Sequence, residues 1–142
     1  MGNNWLGLVV ALIFVWLGMV VAISFLEAPL KFRAPGVTLP IGLGIGRLVF
    51  RALNVVEAGF GVAVAVGLAA GQGGATAWAG YSVAAAALVA QLAAVRPALA
   101  RRSDAVLAGA DGPRSHAHLA YVGLELVKVF SLIVAGVALL AG

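Results

Sequence analysis

The chain has 142 residues, of which 63% are hydrophobic and 10% charged, with a formal net charge of +4 and no cysteine; its mean hydropathy is +1.11. These values lie outside the range of soluble globular chains, so the length fits one domain, residues 1–142, built to be solvated by lipid. Without Cys there are no disulfides, thiolate metal sites or Cys nucleophiles, and the basic residues gather in clusters that read as topology and attraction to anionic lipid rather than as a nucleic-acid surface.

A first helix is predicted over residues 5–28, because Trp5 to Leu26 carries no charge and is long enough to cross a hydrocarbon core of about 30 Å at ~1.5 Å per residue. A cleaved signal peptide fits less well, since Met1-Gly2-Asn3-Asn4 has no basic side chain and the apolar run exceeds the usual length. Lys31 and Arg33 then act as a cytoplasmic stop. The run Gly42-Leu43-Gly44-Ile45-Gly46 has the look of a phosphate loop, but no strand precedes it and Pro40 stands just upstream. Residues 35–46 are therefore expected to form a reentrant or interfacial connection without a nucleotide.

A second helix is predicted over residues 47–70, closed by the uncharged turn Gly71-Gln72-Gly73-Gly74. A third, over 76–95, should stop at Arg96-Pro97, because Pro disfavours helical backbone in the residue before it. The following loop holds Arg101, Arg102, Asp104, Asp111 and Arg114, and a fourth helix spans 118–140. Every loop Lys and Arg falls in the first or third connection, so the positive-inside rule gives an all-α integral membrane four-helix bundle, N-out/C-out, expected in a bacterial inner (plasma) membrane. Gly59, Ala63, Gly67 and Gly71, and likewise Gly80 and Ala84, have the spacing of small-residue packing seams. Trp5 and Trp78 fit interfacial aromatic belts.

Two polar stripes interrupt the apolar spans. Arg47, Arg51, Asn54 and Glu57 lie at helical spacing on the second helix, and His118, Tyr121, Glu125 and Lys128 do so on the fourth. Glu57 and Lys128 each lie ~15 Å along from the first member of their stripe, so they should share one depth and pair. A charge at a helix centre costs about 2.5–3.5 kcal/mol, so these groups should face one another. Opposite charges at ~4 Å offset that by about 4 kcal/mol. Glu27, Glu57 and Glu125 are expected to balance Arg47, Arg51 and Lys128. Glu27 sits at a helix carboxyl end, where the dipole disfavours an anion, and should take its cation from Arg47 or Arg51. His116 and His118, two apart, cannot converge on a metal, and no other His is available for a haem.

The segments Trp16-Leu17-Gly18, Glu27-Ala28-Pro29-Leu30-Lys31-Phe32-Arg33 and Gly46-Arg47-Leu48-Val49-Phe50-Arg51-Ala52-Leu53-Asn54 resemble the bacterial membrane family called domain-of-unknown-function 4149, related to eukaryotic transmembrane protein 205. The resemblance extends to His118 and the helix after it, where that family commonly has Ser and Asn and this chain has Tyr121 and Glu125. It implies a four-helix membrane fold and no established activity. Arg47, Asn54 and Glu57 are also similar to the Arg, Asn and Glu of the membrane-associated eicosanoid and glutathione metabolism enzymes, which implies a glutathione-binding trimer. Arg51 is one residue out of that pattern, and the third helix lacks that family's Arg and Tyr.

Eight polar positions on two helices exceed what helix register requires, so a ligand site is expected of Glu27, Arg47, Arg51, Asn54, Glu57, His118, Tyr121, Glu125 and Lys128. The expected function is non-enzymatic: binding or passing a small polar solute, ion or lipid headgroup through a cytoplasm-facing charged vestibule, with the lipid bilayer as partner. The sequence specifies no cofactor, metal, catalytic residue or nucleic acid. A homo-oligomer is a reasonable expectation for so thin a bundle. The alternatives are a glutathione-dependent membrane enzyme and an accessory subunit of a larger membrane complex.

Overall fold

The computed structural model describes residues 2–71, 73–109 and 116–142; Gln72, Asp111 and Arg114 lie outside the described residues. Four helices, α1 (Asn4–Lys31), α2 (Leu39–Ala70), α3 (Ala75–Leu107) and α4 (His116–Ala141), are each long and apolar enough to cross a membrane. No strand occurs among the described residues. The polarity of the bundle is inverted relative to a water-soluble one: Leu48, Val62 and Phe130 are 72%, 67% and 65% exposed, whereas Glu57, Gln91 and Lys128 are 0% exposed. Such a surface suits lipid, and such an interior must satisfy its own polar groups.

Two boundaries differ from the sequence expectation. α2 begins at Leu39, so residues 39–46 of the expected reentrant or interfacial connection are the first turns of this helix. Thr38 caps it, its hydroxyl accepting from Ile41 N–H at 3.5 Å, and Pro40 occupies the first turn, where its missing N–H has no intrahelical partner to lose. Gly42 permits close approach of the segment just after α1: a Cβ there would run into the Phe32 ring.

α3, expected to stop before Pro97, runs on to Leu107. A wide π turn over Gln91–Val95 makes this possible, with Arg96 N–H reaching back to Gln91 O. Pro97 then falls in the first turn of the helix that resumes, Arg96–Leu107. α1 repeats the device: Val21–Glu27 is π-helical, Ala28 N–H reaches Ile23 O, and Pro29 follows. Widening the turn just before each Pro relieves the clash that ends ordinary helices there. Arg101, Arg102 and Asp104, expected in a loop, therefore sit on a helical extension, which turns off at Gly109 with φ +98°.

α1 packs against α2 and α4, and α3 packs closely on α4 and more lightly on α2, which sets α2 and α4 on a diagonal across the bundle. The apolar core is Ile13, Trp16 and Val20 of α1, Val64 and Leu68 of α2, Ala84 and Leu88 of α3, and Leu132 and Ala135 of α4. The Gly80 and Ala84 seam meets α4 as expected, with Gly80 buried against the Ser131 and Ala135 backbone. The α2 seam is only half as expected. Gly67 packs on Val9 and Gly71 on Leu6 and Trp5, but Gly59 and Ala63 face outward. At 3.6 residues per turn a four-residue repeat drifts about 40° per step, so a long stripe rotates off a straight interface.

Candidate functional site

The two polar stripes come from the diagonal helices α2 and α4 and meet at the bundle axis. Both helices run in the same direction, and one sequence offset relates two contacts: Phe50 meets Tyr121 edge-on at 5.5 Å between ring centroids, and Glu57 meets Lys128 two turns deeper. Lys128 Nζ lies 2.5 Å from Glu57 Oε1 and 2.6 Å from Glu125 Oε1 and donates to Gln91 Oε1 at 2.8 Å. Its three N–H donors thus have three acceptors on three helices. Trp16 Nε1 donates to Glu57 Oε1 at 2.9 Å. Gln91 Nε2 and Ser24 Oγ donate to the two oxygens of Glu125 at 2.6 and 2.5 Å. Ser24 lies within the π turn of α1 and Gln91 opens that of α3, so both irregular turns aim a donor at one carboxylate. Removing ions from water costs several kcal/mol each, and only such dense pairing makes the burial tolerable.

Toward the end of the bundle where α1 and α3 finish and α2 and α4 begin, this lattice gives way to a cavity of about 370 Å³. Glu125, Ser24 and Tyr121 line its deep side; Phe25, Phe32, Phe50, Leu43 and Leu99 line its walls; Lys31, Arg47, Arg96 and His118 supply its basic and imidazole groups. Lys31 and Arg96 stand over the Phe50 ring at 5.5 and 5.9 Å. The Tyr121 hydroxyl is buried without a hydrogen-bond partner among the described residues. Three cations therefore line the cavity with one carboxylate, Glu125, which shares Lys128 with Glu57.

The residues singled out from the sequence divide among four places. Glu57, Glu125 and Lys128 form the lattice, and the Glu57–Lys128 pair stands as anticipated. Arg47, His118, Tyr121 and Glu125 line the cavity. Arg51 and Asn54 lie in a separate crevice between α2 and α3. Glu27 takes its cation from neither Arg47 nor Arg51 but from Lys31, at 3.6 Å and one turn along, because α1 stays helical through Pro29. The expected balance of three Glu against Arg47, Arg51 and Lys128 is likewise redistributed. Arg47 pairs with Asp104 and donates to Ala100 O at 3.1 Å, partners that the extension of α3 brings over it. Arg51 is exposed.

Gln91, Ser24, Trp16, Lys31 and Arg96 complete the sites and were not anticipated in them. Signals existed for two. Gln91 is the lone amide in an Ala-rich span, and Trp16 places an N–H donor mid-membrane, where it needs an acceptor. Arg96 makes no ion pair with a carboxylate among the described residues. No family model matches the chain, and no curated protein or solved structure matches it.

Proposed function

We propose that the chain is a binding protein of a bacterial inner membrane, oriented with both termini outside, whose cytoplasm-facing vestibule takes a small anion carrying an apolar part. Arg96 is the observation that carries this reading. Its guanidinium lines the cavity without a carboxylate of its own among the described residues, while Lys31 is paired with Glu27 and Arg47 with Asp104. The phenyl and leucyl walls suit the apolar part, and the Tyr121 hydroxyl is free to donate to the anion or to a polar substituent. The volume of about 370 Å³ falls at the small end of the ~300–1,000 Å³ of small-molecule sites. Because the cavity ends on the buried Glu57–Glu125–Lys128 lattice, the reading is of binding, with passage requiring the lattice to rearrange. The resemblance to the domain-of-unknown-function 4149 family belongs to this proposal and adds no activity to it.

A glutathione enzyme needs Arg47, Arg51, Asn54 and Glu57 on one ligand. Within one chain they are divided between the vestibule, the α2/α3 crevice and the lattice.

Decanoate binding to the protein in nanodiscs, followed by calorimetry against empty discs, tests the proposal. Arg96→Ala is expected to weaken binding about tenfold or more, the size of one charge-assisted hydrogen bond. Arg101→Ala, on the exposed extension, should leave it unchanged. Equal affinity of Arg96→Ala and wild type contradicts the assignment.

A further inference from the structure

The buried lattice is one positive charge short. Glu57, Glu125 and Lys128 are 0%, 1% and 0% exposed, and Lys128 is the cation with which both carboxylates pair, at 2.5 and 2.6 Å. The partners that α1 and α3 bring to them, Trp16, Ser24 and Gln91, are all neutral. Of the basic groups nearer the bundle end, Lys31 is paired with Glu27 and Arg47 with Asp104, while Arg96 and His118 line the vestibule. With both carboxylates ionised and Lys128 charged, the lattice holds a net negative charge in the middle of a membrane.

Such a charge is costly away from water. Two carboxylates that each hold an oxygen within 2.6 Å of one nitrogen also repel each other, and a proton on one of them removes both penalties. Hydrogen bonding decides which carboxylate takes it. Both oxygens of Glu125 are engaged: Oε2 accepts from Ser24 Oγ, and Oε1 accepts from Gln91 Nε2 and pairs with Lys128. Glu57 meets Lys128 and Trp16 through Oε1 alone. Its Oε2 is buried without a partner among the described residues, so a charge there would have no donor to stabilise it. Asn54 lies three residues earlier, a spacing that makes neighbours on a helix surface, and its Oδ1 is a second buried acceptor without a partner among the described residues. A proton on Glu57 Oε2 supplies the donor that these oxygens lack.

We propose that the Glu57–Glu125–Lys128 lattice is a proton-binding site that carries one proton, on Glu57, at neutral pH. Glu125 gives the site its access, because it lines the vestibule and Lys128 joins it to Glu57. The loaded lattice is neutral and the empty one is negative, so the proton and an anion in the vestibule favour each other's binding. That consequence rests on the vestibule reading, whereas the proton site rests on the lattice alone.

The test is NMR of the full chain in detergent micelles at neutral pH, labelled with carbon-13 and nitrogen-15 and without added anion ligand. The chain has three glutamates, Glu27, Glu57 and Glu125, and each side-chain carboxyl carbon, assigned through its own backbone, has a shift that separates acid from carboxylate. Glu57 is expected at the acid position and Glu125 at the carboxylate position. In Glu125→Gln one carboxylate remains for one ammonium, and the Glu57 carbon should move to the carboxylate position. Glu27→Gln, which touches only the pair with Lys31, should leave Glu57 an acid. A carboxylate at Glu57 in wild type, or the acid at Glu125 instead, overturns the proposal. An acid at Glu57 that survives in Glu125→Gln overturns the charge balance on which it rests. Conversion of Glu57 to carboxylate when sodium replaces choline in the buffer also overturns it, since the lattice would then hold a metal cation in place of the proton.

Discussion

Lys128→Met is expected to lower the unfolding free energy by about 3–5 kcal/mol, the cost of leaving a buried carboxylate without its cation, as measured by equilibrium unfolding in mixed micelles. The cost should stand at the upper end, because Lys128 serves Glu57 and Glu125 together and also holds Gln91. Met nearly conserves volume, so the loss reports charge rather than packing. The triple variant Lys128→Met, Glu57→Gln, Glu125→Gln removes all three charges and should recover most of the loss. The three single changes cannot be additive, since the groups share one network. A Lys128→Met protein as stable as wild type would mean that the lattice does not hold the bundle.

The α3–α4 seam carries the second large effect. Gly80→Ala is expected to cost about 1–3 kcal/mol as overpacking and Gly80→Val more, read by the same unfolding measurement. A Cβ at this position would stand 2.7 Å from Ser131 O and 2.9 Å from Ala135 N, and backbone atoms cannot rotate away as a side chain can. The helices must part, and Lys128 moves with α4 away from Gln91. Gly59→Ala is the control. It meets nothing within 4 Å, and its stability should be unchanged or higher by up to about 1 kcal/mol from helix propensity. Equal costs at Gly59 and Gly80 would contradict the packing described.

The contrast between those two glycines marks what local pattern can and cannot convey. Both occur in small-residue stripes, and only the position of a neighbouring helix separates a seam residue from a lipid-facing one. The four spans were legible because lipid imposes length and apolarity on each helix alone. The Glu57–Lys128 pair was legible for a related reason: α2 and α4 run in the same direction and stay regular over the stripe, so counting along each gave a shared depth. Counting failed wherever a π turn intervened. Pro97 read as a helix end, yet the turn over Gln91–Val95 lets α3 continue and carries Asp104 to Arg47. The turn in α1 similarly leaves Lys31 beneath Glu27. Gln91 had no stripe to announce it, because a single polar residue has no period.

Photolabelling with a diazirine-bearing ten-carbon carboxylate, in nanodiscs and with the adducts mapped by peptide mass spectrometry, tests the binding vestibule most directly. The expected result is labelling confined to vestibule-lining segments around Phe25 and Leu99, suppressed by excess decanoate but not by decanamide, and lost in Arg96→Ala. Labelling spread over the outward-facing residues Leu48, Val62 and Phe130, insensitive to both competitor and substitution, would contradict the account.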